Sequence, residues 1–89
     1  MRDSFIKACH ENNHSLVKEL LCSGADVNCS DNYGWSGLHI AACYNYRELL
    51  ELLLAQTGVD VNIMNSHRKT PLMMACDRGN ENFVRLAVV

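Results

Sequence analysis

The feature that most constrains this chain is its likeness to itself. Ala8-Cys9 recurs as Ala41-Ala42 and again as Ala75-Cys76, and Gly24-Ala25-Asp26-Val27-Asn28 recurs as Gly58-Val59-Asp60-Val61-Asn62. Leu16 and Leu20 match Leu49 and Leu53. The offset is 33 from residue 8 to 41 and 34 from 41 to 75, the extra residue falling where Ala55-Gln56-Thr57 replaces Cys22-Ser23. A period of this length marks a chain built from one small unit used several times, each too small to bury its own core.

Each unit reads as two short helices. In the middle unit the first runs from about Gly37 to Tyr44 and the second from about Arg47 to Ala55. Both are shorter than the ~12–15 residues an isolated helix needs in water, so stacking must stabilise them. The first carries small Ala41-Ala42, which lets neighbouring backbones approach. The second carries Leu49, Leu50, Leu52, Leu53 and Leu54, apolar around most of its circumference, as in a helix buried on several sides.

Punctuation repeats in register with the helices. Asp3, Ser36 and Thr70 are N-cap residue types at equivalent positions, each able to accept a bond from a first-turn amide. Pro71 follows Thr70 at the first helical position, where a missing N–H costs nothing. Asn12, Asn45 and Gly79 fall between paired helices, and Gly24 and Gly58 end the second helices; all tolerate the left-handed backbone of a helix C-terminus.

These residues resemble the ankyrin repeat. The middle unit supplies Asp31, Gly34, Ser36, Leu38-His39, Ala41-Ala42, Leu52-Leu53-Leu54, Gly58 and Asp60-Val61-Asn62, and the third supplies Thr70-Pro71-Leu72 and Ala75. The resemblance implies an all-α solenoid of stacked helix-turn-helix units joined by short β-hairpin-like fingers. It implies one domain over 1–89, with units near 1–30, 31–64 and an incomplete 65–89. Three residues depart from the pattern: Gly37 stands for a proline, Met73 for a histidine that ties neighbouring repeats, and Arg68 for the fingertip glycine.

The resemblance further implies protein–protein recognition through the fingertips and the concave face of the first helices. The matching variable positions are Asn32, Tyr33, Trp35, Cys43 and Tyr44, then Ser66, His67, Lys69, Asp77 and Arg78, with His10 and Glu11 from the first unit. Trp and Tyr are common interface anchors, and a solvated turn seldom holds Trp without a reason. The competing role for Trp35 is packing on the next finger. His67-Arg68-Lys69 forms a local basic cluster whose simpler role is solubility. Asn28 and Asn62 resemble asparagines that an asparaginyl hydroxylase modifies in ankyrin repeats; each follows an aliphatic residue and lies eight positions after a leucine, Leu20 or Leu54. Their structural role would be to bond the loop backbone.

Composition narrows the alternatives. The formal charge is -2 with Lys and Arg scattered, so no basic stripe for nucleic acid exists. No apolar run approaches the ~20 residues that cross a bilayer. The first ten residues carry Asp3 and no apolar signal core, and the five cysteines are odd in number. Both point to a reducing compartment, cytoplasm or nucleus. Cysteine and histidine abound, but no C-x-x-C occurs, and the pairs Cys9-His10 and His10/His14 fall short of a tight four-ligand zinc site. Cys9, Cys43 and Cys76 read as small hydrophobes beside the alanine seam. Cys9 and His10 as adjacent helical residues point apart, which argues against a nucleophile–base pair. His39 reads as the family's structural histidine. No catalysis and no cofactor are expected.

Two other readings remain. The segment caps or links a larger array without touching a ligand, or it belongs to a multidomain enzyme whose chemistry lies elsewhere. Phe83, Val84, Leu86, Ala87, Val88 and Val89 leave the last helix almost no polar face, which predicts further repeats or a second chain against that end.

Overall fold

The computed structural model describes residues 2–81 and Arg85. The expected apolar face over 82–89 therefore lies outside the described residues, apart from Arg85. Five helices follow one another: α1 (Arg2–His10), α2 (His14–Cys22), α3 (Gly37–Tyr44), α4 (Arg47–Leu54) and α5 (Pro71–Arg78). Among the described residues there is no strand, and one isolated bridge joins Ser30 to Ser36. The fingers, residues 31–36 and 65–70, are thus tight turns rather than paired ribbons.

Helices α1 and α2 pair, as do α3 and α4, and the first helices stack on one another: α1 against α3, and α3 against α5. Helix α2 lies against α4. Sitting between two neighbours, α3 is buried from Gly37 through Cys43. Leu49, Leu50 and Leu53 of α4 are fully buried, each contributing roughly 1.5–3 kcal/mol of apolar transfer. In α5 only Pro71 and Ala75 are buried. Leu72 is 38% exposed and Met73 48%, whereas Leu38 and His39, one unit earlier, are 1% and 0% exposed.

The caps act as the spacing predicts at two of three positions. Ser36 accepts from the His39 amide and Thr70 from the Met73 amide. Asp3 departs from the expectation: α1 already includes Arg2, so Asp3 lies inside the first helical turn. There its charge still meets the positive end of the helix. Asn12, Asn45 and Gly79 take left-handed φ of 54°, 59° and 71°. Cys9 and Cys43 are buried as expected, but Cys76 is exposed. Its equivalent Ala42 is buried in α3, the helix against which α5 packs; α5 has no such following helix among the described residues.

Side chains also bond across unit boundaries. Tyr46 Oη donates to the His10 carbonyl at 3.3 Å. Asn80, one unit on, donates from Nδ2 to the carbonyls of Ala42 and Cys43 at 2.7 and 2.9 Å. Each completes the C-terminal end of the preceding first helix, where carbonyls lack helical partners. Asn28 binds the next loop twice, donating to the Gly58 carbonyl at 2.9 Å and accepting from the Asp60 amide at 2.7 Å.

Candidate functional site

The two fingers share one hydrogen-bond plan. In the first, Asp31 Oδ1 accepts from the amides of Tyr33 (2.8 Å) and Trp35 (3.0 Å). In the second, Asn65 Oδ1 accepts from His67 (2.8 Å) and Lys69 (3.1 Å). Each finger closes with a backbone bond from its first residue to the carbonyl of its fifth, Trp35 or Lys69, both 3.0 Å. The fingers are joined by the Ser66 amide, which donates to the Tyr33 carbonyl at 3.0 Å.

His39 fixes the fingers to the helices. The Ser36 amide donates to its Nδ1 at 3.0 Å. That nitrogen therefore carries no proton, and the Nε2–H donates to the Lys69 carbonyl at 2.7 Å. Burial pushes the His39 pKa below its ordinary value, against the opposing effects of the Lys69 bond and the Asp31 charge. This neutral ring, the third-position partner in the Ser36 capping box, is occupied by structure at both nitrogens.

Two adjacent hollows open between fingers and first helices. One, of about 380 Å³, is lined by His10, Asp31, Tyr33, Trp35, Tyr44 and His67. The other, of about 320 Å³, is lined by Trp35, Cys43, Asn65, His67, Lys69, Met74, Asp77 and Arg78. Trp35 and His67 form the wall they share. The structure thus gathers Tyr33, Trp35, Cys43, Tyr44, His67, Lys69, Asp77, Arg78 and His10 around two hollows. Asn32, Ser66 and Glu11 are exposed and lie outside both linings.

Exposure separates the aromatics. Tyr33 is 70% and Tyr44 47% exposed. Tyr44 stacks on Tyr46 with centroids 5.5 Å apart and meets His10 edge-on at 6.2 Å. Trp35 is half-buried, packed against the core and tilted 42° from the His39 ring at 6.4 Å. It therefore packs on the core and lines both hollows. Asp31, Asn65 and Met74 were absent from the expected set. Met74 was findable, because it shares a helix face with Asp77 and Arg78, three and four residues on. Asp31 and Asn65 are turn builders, and only the folded fingers bring them to the hollows.

No group of three or more His, Cys, Asp and Glu among the described residues could hold a metal ion. Burial, with Cys29 adding to it, pushes the Cys9 thiol up to about 12, so it stays protonated near neutrality. Burial also raises the Cys29 thiol, with the Asp26 charge next. No helix among the described residues is long and apolar enough to cross a membrane. Asn28, half-buried, holds the loop bonds described above, while Asn62 is exposed with its amide bonded to Asp60 Oδ1 at 2.9 Å.

Comparison with known proteins agrees with this architecture. The family model "Ankyrin repeats (3 copies)" matches residues 5–88. An I-Kappa-B like protein C2 of Microplitis demolitor bracovirus is 45% identical over 64 residues, 71% of this chain and 35% of the relative. The Arabidopsis thaliana E3 ubiquitin-protein ligase KEG is 39% identical over 87 residues, 97% of this chain and 5% of the relative. The Ovis aries ankyrin repeat, SAM and basic leucine zipper domain-containing protein 1 is 40% identical over 81 residues, 90% of this chain and 17% of the relative. The chain thus spans about a third or less of these proteins. Their common ground with it is a repeat whose general role is protein–protein interaction, and with helices, caps and family model in agreement, the chain belongs to the ankyrin-repeat family.

Proposed function

We propose that this chain holds another protein on the surface where its two fingers meet α1, α3 and α5, and takes no part in catalysis itself. The observation that carries this reading is Trp35: rooted in the core, it forms the common wall of two open hollows, flanked by exposed Tyr33 and Tyr44. Rigidly held aromatics of this kind anchor interfaces at low entropic cost. The odd cysteine count supports a reducing compartment, cytoplasm or nucleus.

An affinity pull-down read by mass spectrometry, run in parallel with the native chain and variants, tests the reading. Trp35→Ala should weaken a captured partner by about 2 kcal/mol or more. Because Trp35 also packs on the core, Tyr33→Ala with Tyr44→Ala serves as the second variant. Both tyrosines are exposed, so helicity should persist while capture falls. Capture unchanged by both variants would move the binding surface elsewhere.

A second reading, that the segment sits within a longer array, is favoured by one face. Val61, Met64, Leu72 and Met73 are 39%, 53%, 38% and 48% exposed. Val27, Leu38 and His39, the counterparts of Val61, Leu72 and Met73, are buried. Sedimentation of the 89 residues should show self-association that Leu72→Lys with Met73→Glu relieves; a native chain monomeric at high micromolar concentration speaks against it. For hydroxylation, Asn62 is the better candidate than Asn28, whose amide spans two loops. Mass spectrometry of protein from cells holding the enzyme decides, and unmodified peptides at both sites end the idea.

A further inference from the structure

The two hollows differ in their polar groups: Asp31 is the one carboxylate of the first, with His10 and His67 also in its lining, whereas the second holds Lys69, Asp77 and Arg78. Asp31 stands beside Tyr33, Trp35 and Tyr44. That carboxylate is fixed by the two amides that Oδ1 accepts, so its place does not depend on a freely turning side chain. Aromatic faces and a carboxylate around one opening attract a cation: the ring quadrupoles present negative faces, and the acid supplies the charge. Tyr44 is steadied by its stack on Tyr46.

The second hollow is apolar at its centre, with Trp35, Cys43 and Met74, and ionic at its rim. Lys69 and Asp77 pair with one another there. Arg78, exposed on the same rim, has no ion-pair partner among the described residues. An unpaired guanidinium beside an apolar slot suits a carboxylate next to an apolar side chain, and the planar fork can take both its oxygens.

We propose that the occupant is an extended segment of a partner protein that places a lysine or arginine in the Tyr33–Trp35–Tyr44–Asp31 hollow, and an apolar side chain flanked by an Asp or Glu in the hollow beneath Arg78. This rests on the reading of the finger surface as a protein-binding site and adds the partner's chemistry and polarity. Trp35 stands between the two subsites and is the chain's sole tryptophan, so its emission reports on them alone.

The experiment pans a phage-displayed library of random peptides on the 89-residue chain and titrates the enriched synthetic peptides while following Trp35 emission. Enrichment of peptides joining a basic to an acidic residue is expected. Exchanging the peptide's basic residue for Gln should weaken binding about tenfold. Asp31→Asn should abolish that discrimination while keeping the turn, because Asn65 already builds the second finger with an amide. Arg78→Gln should do the same for the acidic residue. Peptides that shift Trp35 emission with no charge preference, or with a preference Asp31→Asn and Arg78→Gln leave intact, overturn this inference and leave the binding surface standing. A library that yields no binder also overturns it, since an extended segment should be found there. The binding-surface reading itself falls only with the pull-down.

Discussion

The fingers at 31–36 and 65–70 fold to one geometry from different residues. Asp31, Gly34, Ser36, Gly37 and His39 build the first; Asn65, Arg68, Thr70, Pro71 and Met73 stand in the same places in the second. Gly34 and Arg68 both adopt left-handed backbone, at φ 79° and 61°. A Cβ on Gly34 would stand 2.9 Å from the Asn65 Cα and from the Ser66 nitrogen. Glycine is thus required there twice, by torsion and by the next finger's backbone. At Arg68, which is exposed, the torsion is the whole cost. The difference teaches that the same local turn carries a stricter sequence demand wherever a neighbour is seated against it.

Swapping residues between the fingers tests that lesson. The largest effect is expected from Gly34→Ala. The left-handed penalty and the backbone collision together should cost about 3 kcal/mol in urea denaturation. A loss below about 1 kcal/mol would show that the fingers can move apart freely.

His39→Met, which copies the third unit, comes next. It leaves the Ser36 amide without its acceptor and the Lys69 carbonyl without its donor, a loss of about 2–3 kcal/mol for buried groups. It should also change the pH dependence. A histidine held below its ordinary 6.5 in the folded state binds its proton more readily once unfolded. Its contribution is therefore full above that value and lost as the pH falls below it. Native melts should weaken from pH 7.5 to 5, and the variant should lose that part of the slope. An unchanged slope would assign the effect to other groups.

Arg68→Gly should raise stability slightly, by about 0.5 kcal/mol, since relief of the left-handed torsion exceeds the added freedom of the unfolded chain. A thermal melt suffices, and a fall in melting temperature would mean the arginine makes a stabilising contact. Asp31→Asn should change stability by less than about 0.5 kcal/mol, because the amide oxygen accepts as Asn65 does. A larger loss would mean the charge, not the bond pattern, holds the first finger.

Much of this was legible in the sequence because the repeat writes its instructions three times. The bounds of α3 coincide with the expectation, and α4 ends one residue earlier, at Leu54. Local signals fix such features: Ser36 and Thr70 cap, and Asn45 and Gly79 turn. The failures were non-local. Asp3 has a capping residue's chemistry, but Arg2 before it is already helical. Cys76 matches buried Ala42, but burial depends on a neighbour rather than on the residue. Gly37 reads as a weaker helix start than a proline. In the fold, a Cβ there would stand 3.1 Å from Cys9 Sγ and 3.2 Å from Leu53 Cδ1, so the glycine makes room for the unit before it and for α4 of its own. The candidate surface was legible as a set of positions, not as two hollows, because the division comes from where Trp35 stands.

The amides of Asp60 and Ser66 lie in loops, where exchange with solvent is ordinarily rapid. Both nevertheless donate across a unit boundary, Asp60 to Asn28 Oδ1 and Ser66 to the Tyr33 carbonyl. Their deuterium uptake therefore times the parting of whole units, while uptake within α3 or α4 times the melting of a helix. The chain carries two gauges of its own spring constant, one at the loop base and one at the fingertip, and a clamped partner would slow the second more than the first.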